Sequence, residues 1–338
     1  MRTFIIRRLL AALPVILGVS VITFTLSHII PGDPARLAMG LNAPEDQVQD
    51  LRERLGLNRP LPVQYLMYMN RLIHGDLGVS ITSRRPVADD IRQYYAATLE
   101  LASFSLVIAV ILGIPIGAIS AVKKDSVLDH LTRATSLLGV SLPVFWLGLI
   151  LLLVFYLRLD LFPGSGRIDP QISIKYPVKS ITGLLLVDTL VTGNWPAFKS
   201  SFSHILLPAF CLSFSTLARV VRISRTSFLD VLSEAYIIVA RAKGLSEIMV
   251  VSGHALRNAM IPILTIIGLS FGYSLGGSVL VETIFVWPGM GNFAFKALTN
   301  LDYPAVMGVT LVSIVTFLVV NLVVDILYSV CDPRITLD

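Results

Sequence analysis

YIIVARAKGLSEIMVVSGHALRNAMIP, residues 236–262, is a polar passage in an oily chain. The protein has 338 residues, of which 54% are hydrophobic and only 14% charged. Here Arg241, Lys243, Glu247, His254 and Arg257 gather on one short stretch around a single interior turn glycine, Gly244. The spacing predicts two helices joined at that glycine, the first over residues 226–243. Gly244 suits the left-handed position that ends helices, and Arg241 and Lys243 fall in the last turn, where cations complement the helix dipole. Ser246 can cap the second helix, with Glu247 in its first turn. Val250, Val251, His254 and Leu256 carry that helix toward Pro262. Two readings of this element stay open on spacing alone: a docking site for another protein, or a solvated connector beside lipid headgroups.

The surroundings of the stretch are set by hydropathy. A mean hydropathy of +0.77 and so few charges exclude an ordinary soluble domain. A membrane-crossing helix needs about 20 mostly apolar residues. Six segments qualify: 9–30, 99–122, 134–157, 203–221, 260–281 and 306–330. The fourth is the weakest, because Ser213, Ser215 and Thr216 dilute it. Arg2, Arg7 and Arg8 precede the first, which is too long for an export signal and ends in His28-Ile-Ile-Pro-Gly-Asp-Pro without a cleavage pattern; it reads as an uncleaved span.

Lys and Arg near the spans set the orientation. Arg2, Arg7 and Arg8, then Lys123, Lys124 and Arg133, then Arg222, Arg225, Arg241, Lys243 and Arg257 mark one side as cytoplasmic. The outer link 282–305 carries only Lys296. An even number of crossings places both termini in the cytoplasm. The net charge of +5 therefore records topology, and no basic-aromatic pattern supports nucleic-acid binding.

Between the first two spans, residues 31–97 form an organised outer segment with helix-like stretches at 45–55 and 61–73, divided by Gly56, Pro60 and Pro62. A second outer insertion, 160–202, is rich in Gly and Pro and reads as loop with short ordered pieces. The chain divides into an N-terminal span with its outer segment, 1–97, and a five-span unit, 98–338, that contains the cytoplasmic loop 222–258. In the fifth span Gly268, Gly272 and Gly276, followed by Gly277, recur at a helical spacing, with Ser270 and Ser274 beside them. Such a face either admits a neighbouring helix closely or lines a passage. Gly113 and Gly117 repeat the pattern around Pro115, a deformable point. Cys211 and Cys331 read as packing residues, with no disulfide framework.

The search for catalytic chemistry excludes more than it finds. There is no His-Glu-x-x-His, no Gly-x-Ser-x-Gly and no Gly-x4-Gly-Lys-Ser/Thr phosphate cradle. The chain is not expected to be an enzyme, to bind a cofactor or metal, or to hydrolyse ATP alone. An ion-coupled carrier usually keeps an ionisable group deep in the membrane. The candidates are His28, Glu282 and Asp325, and all three fall toward span ends, which argues against that class. A scaffold without transport is the third possibility.

The polar stretch also carries a resemblance. ARAKGLSE and HALRNAMIP resemble the cytoplasmic signature of ABC importer permeases, in the form found in the dipeptide/oligopeptide/nickel group. RRLLAALPVILGVSVITF with IIPGDPARL resembles that family's first span and exit. LGLNRPLPVQYLMYMNRLIHGDLGVSITSRRPV resembles its outer segment. SLPVFWLGL, VETIFVWPGMG and NLVVDILYSVCDPRI resemble later parts in the same order. The insertion containing GSGRIDP and TGLLLVDTL is most similar to dipeptide permeases of the B type, with glutathione, nickel-chelate and haem relatives open. One departure stands out: the general signature opens Glu-Ala-Ala, and at the matching distance from Gly244 this chain has Ile238-Val239-Ala240, so only Ala240 and Gly244 match.

The resemblance implies an all-α, six-span permease of the type I ABC importer fold, in a bacterial inner membrane. It implies a second, similar permease, two ATPase subunits holding ATP and Mg²⁺, an extracytoplasmic peptide-binding protein, and short peptides as solute. It also implies that the polar loop docks on an ATPase. Ala240, Arg241, Ala242, Lys243, Gly244, Leu245, Ser246, Met249, His254, Arg257 and Asn258 are the candidate coupling residues. Within them Arg241, Lys243 and Arg257 are assigned charged contacts, and Leu245, Met249 and Val250 packing.

Overall fold

The computed structural model describes residues 2–29, 34–40, 43–54 and 56–331. Residues 30–33 and the side chains of His28 and Cys331 lie outside that description, as do the readings placed on them. Among the described residues the chain is helical, with one isolated bridge between Val79 and Pro86. The first span is α1, Arg2–Ile29. The outer segment supplies α2, Pro34–Met39, α3, Glu45–Arg54, and α4, Leu61–Ile73. α3 and α4 fall where the sequence places them, because Gly56 (φ +71) and Pro60 interrupt the chain between them. Tyr65 and Tyr68 of α4 pack on Phe24 of α1, with ring centroids 5.3 and 5.8 Å away.

The second span is longer than hydropathy indicates. α5, Val87–Val122, starts twelve residues outside the apolar window and runs unbroken through residue 97, where the sequence reading divides the chain. The third span requires a correction. Residues 134–157 are not one helix: α6, Val127–Ser141, and α7, Val144–Leu151, meet at 104°. Pro143 is the cause, since its ring forces Leu142 into an extended conformation (φ −73, ψ 129) and it has no N–H to continue the ladder. α7 then widens into a π-helical turn over Leu152–Arg158. Among the described residues there are thus five helices long and apolar enough to cross a bilayer, or six spans with the bent pair taken as one.

The second outer insertion contains α8, Pro170–Lys175, and α9, Leu185–Val191. α10, Trp195–Leu232, begins inside that insertion and continues past the expected end of span four. α11, Ala235–Ala242, and α12, Glu247–Met249, form the polar turn around Gly244. α13, Leu256–Ile284, α14, Met290–Thr299, and α15, Tyr303–Cys331, complete the chain. α5 and α10 make the central pair, α13 packs on α10, α15 on α13, and α1 on α15. The α5–α10 crossing is tight because Gly113 meets Val220 and Gly117 meets Ser224 and the Val221 carbonyl.

Candidate functional site

The polar turn around Gly244 is built from local signals. The expected first helix, 226–243, is in fact broken at Ser233–Glu234. Ser233 donates its hydroxyl to the Asp230 carbonyl at 2.7 Å, a local bond that competes with helix continuation, and Glu234 is extended (φ −71, ψ 145). After α11, Gly244 takes φ +80. Its N–H donates to Arg241 O at 2.9 Å, and the Leu245 N–H reaches back to Ala240 O at 3.4 Å. That pair of bonds is the Schellman closure, and it needs the left-handed residue at its centre. Ser246 then accepts the Met249 N–H at 3.4 Å and starts the second arm. This arm passes through a π-helical turn, Val250–Ala255, directly into α13. The second arm of the elbow and the fifth span are therefore one continuous helical element.

Two contacts brace the elbow. Arg241 donates Nη2 to Glu247 Oε1 at 2.6 Å and Nε to Oε2 at 3.1 Å, and this pairing raises the Arg241 pKa above its ordinary value. Asn258 Nδ2 donates to the Tyr236 hydroxyl at 2.6 Å. The inner face is apolar: Ile237, Ala240, Val250, Ala255 and Ala259 are buried with Phe228 and Ile263, and Leu245 packs against them. The outer face carries Ala242, Lys243, His254, Arg257 and Asn258. It also presents bare apolar side chains, with Ile248 80% and Met249 56% exposed. Ile238 and Val239 are exposed as well. Val250, given a packing role from sequence, is fully buried in the chain's own core. Ile248, which sequence reading passed over, is the most exposed apolar side chain of the elbow.

The glycine face of α13 points at the last span. A Cβ at Gly268 would strike Val324, and one at Gly272 would strike Phe317, while nothing lies within 4 Å of Gly276. Ser270 and Ser274 are buried, and Ser274 donates to Ser270 O at 2.8 Å.

Four charged sites complete the map. On the elbow's side, Asp129 accepts Arg225 Nε at 2.5 Å and Nη2 at 2.7 Å. Ser120 Oγ and the Asp125 N–H complete its shell, at 2.5 and 3.1 Å. At the opposite end, Glu282 accepts Thr98 Oγ1 at 2.7 Å and the Asn292 N–H at 2.9 Å. Trp287 Nε1 beside it donates to Ala97 O at 2.9 Å. In the same outer region Arg167 donates to Glu100 at 2.5 Å and lies 5.6 Å over the Trp287 ring. Asp325 pairs with Arg8 at 3.1 Å, which ties the start of α1 to the end of α15. The long-range pairings leave no signal in sequence, because Arg225 with Asp129, Thr98 with Glu282, Arg167 with Glu100 and Arg8 with Asp325 lie 67 to 317 positions apart. Among the described residues no cluster of His, Cys, Asp or Glu could hold a metal.

Comparison with known proteins places the chain in a family. Residues 113–337 match the family described as binding-protein-dependent transport system inner membrane component. Residues 1–102 match its N-terminal region. The probable D,D-dipeptide transport system permease protein DdpB of Escherichia coli (strain K12) is 47% identical, over 95% of this chain and 94% of its own. The dipeptide transport system permease protein DppB of Alkalihalophilus pseudofirmus is 42% identical over 99% of both chains. The glutathione transport system permease protein GsiC of Escherichia coli O6:H1 is 39% identical over 99% of both. This chain, a multi-pass membrane protein, belongs to the family of binding-protein-dependent transport system inner membrane components.

Proposed function

We propose that this chain is one permease subunit of an importer that moves short peptides into the cytoplasm on ATP hydrolysed by separate subunits. The observation that carries the reading is the double character of the elbow. It is rigid within, closed by the Schellman turn, the Arg241–Glu247 pair and the Tyr236–Asn258 bond. Outside, it leaves Ile238, Val239, Ile248 and Met249 bare among charges. An apolar patch with a charged border fits a groove on another protein, and its continuity with α13 gives displacement a direct path into the membrane. Two ATPase subunits with ATP and Mg²⁺, a second permease and an extracytoplasmic peptide-binding protein are the partners. The elbow, the arginines of α1 and the end of α15 face the cytoplasm. Dipeptides and tripeptides are the solute class, in line with the names of the relatives. Gly268 and Gly272 serve packing in this reading, and any passage runs on another face of α13.

The test is uptake of labelled dipeptide by the reconstituted complex, with crosslinkers placed at Ile248 and Met249. ATP-dependent uptake, with both positions captured by the ATPase, is expected. Uptake by this chain alone, driven by a proton gradient without ATP, would overturn the reading.

A further inference from the structure

Among the described residues Arg219 is a part-buried cation without an ion pair. It lies in α10, one residue before Val220, whose side chain packs where Gly113 of α5 leaves room. Ten residues separate Gly113 from Lys123, which closes α5 at its cytoplasmic end. At about 1.5 Å per residue that is roughly 15 Å of helix, and Arg219 itself falls inside the apolar run 203–221. A guanidinium cannot give up its proton there, and in a spanning segment it calls for a partner or a polar cavity. Asp129 answers Arg225, Asp325 answers Arg8 and Glu100 answers Arg167. Arg219 has no carboxylate among the described residues. Nη2 reaches only two hydroxyls of its own helix, Ser215 and Thr216, each at 3.4 Å. Nε is buried without a hydrogen-bond partner.

The neighbours make the position a place for a ligand. Tyr273 of α13 and Arg222 of α10 are the ionisable groups close enough to act on Arg219, and both are exposed on a face that this chain alone does not cover. One turn from Tyr273, the Ser270 hydroxyl is 1% exposed and unpartnered. This locus has donors in excess and no anion.

We infer that Arg219 binds the C-terminal carboxylate of the peptide as it crosses the membrane, with the hydroxyls of Ser215, Thr216 and Tyr273 beside it. The inference rests on the peptide-import reading above. A short peptide at neutral pH always carries that carboxylate, whatever its side chains, so one fixed guanidinium suits a solute class of varied sequence. Charge-assisted bonds of this kind are the strong ones in a site shielded from water.

The experiment uses the whole complex in proteoliposomes, wild type, Arg219→Gln and Arg219→Lys. Two labelled solutes are compared, a dipeptide and its C-terminal amide, each supplied at the concentration that half-saturates the binding protein. In wild type the acid should enter faster than the amide. Arg219→Gln should slow the acid about tenfold and bring the acid-to-amide ratio close to one, while ATPase stimulation by loaded binding protein persists. Arg219→Lys should restore part of the ratio. An unchanged ratio in Arg219→Gln overturns the inference. So does loss of the second permease from the purified Arg219→Gln complex, which would assign the charge to a carboxylate of that subunit. A wild-type complex that moves neither solute defeats the peptide reading itself, a result distinct from both.

Discussion

The two ends of α13 are both polar, and they are built in opposite ways. At the outer end Glu282 is fully buried, its carboxylate wrapped by Thr98 and by the backbone of Asn292. The loop after it folds so closely that a Cβ on Gly291 would sit 2.8 Å from Val279 Cα and 2.9 Å from Glu282 Oε2. At the elbow end the Arg241–Glu247 pair is open to water, and apolar side chains stand bare beside it. A closed, satisfied network holds a structure together. An open patch on a stiff support is available to something else. Substitutions at the outer end should therefore cost stability first, and those at the elbow should cost coupling first.

Glu282→Ala tests the closed end and should have the largest effect on folding. It leaves the Asn292 N–H and the Thr98 hydroxyl buried without their acceptor, at a cost of about 4 kcal/mol. The measurement is the unfolding midpoint of the purified complex in detergent. A midpoint within a degree of wild type would mean that this end is not a structural clamp. Arg225→Ala comes next, at about 3 kcal/mol, because it strands the buried Asp129 charge while Arg225 itself keeps some solvent contact. Asp129→Asn in the same background should recover part of the loss, and the double-mutant cycle measures how much.

Gly244→Val sits between the two ends in kind. No atom lies within 4 Å of a Cβ at Gly244, so the substitution meets no neighbour; the whole penalty comes from φ +80, about 2 kcal/mol for a β-branched residue. Uptake should fall sharply, while membrane insertion is kept. Gly244→Asn, which tolerates the left-handed region, should transport near the wild-type rate. If Val and Asn behave alike, the turn conformation is not what the elbow needs.

The contrast also explains what the sequence makes legible. Gly244, the Ser246 cap, α3 and α4 are set by residues within a few positions of one another, so their signals survive in a linear reading. The six apolar runs are equally plain, since each helix must meet lipid along its own length. The bend at Leu142-Pro143 was hidden because hydropathy continues straight across it, although Pro143 was there to be weighed. The start of α10 at Trp195 was hidden because the polar insertion continues into the helix. Thr98 with Glu282 and Asp129 with Arg225 are pairings across 184 and 96 positions, and no local pattern encodes them. Arg219 had a signal of another kind, a lone cation inside an apolar window, and the search for deep ionisable groups weighed only His28, Glu282 and Asp325.

The smallest effect separates the two ends most cleanly. The Arg241–Glu247 pair has good bidentate geometry, but both side chains are about two-fifths exposed, and exposed pairs contribute about 0.5 kcal/mol once solvent screens them. The pair raises the Arg241 pKa, so its small contribution would fade only at alkaline pH, above the ordinary arginine range. Arg241→Ala should then leave the unfolding midpoint within about a degree of wild type. If the elbow is a docking element, the same substitution should still reduce peptide-stimulated ATP hydrolysis two- to fivefold, because the second arm loses its brace against the first. Glu247→Ala should match it, and the double variant should be no worse than either alone. Additive losses would mean that the two side chains touch the partner separately, and that the brace across Gly244 is incidental to coupling.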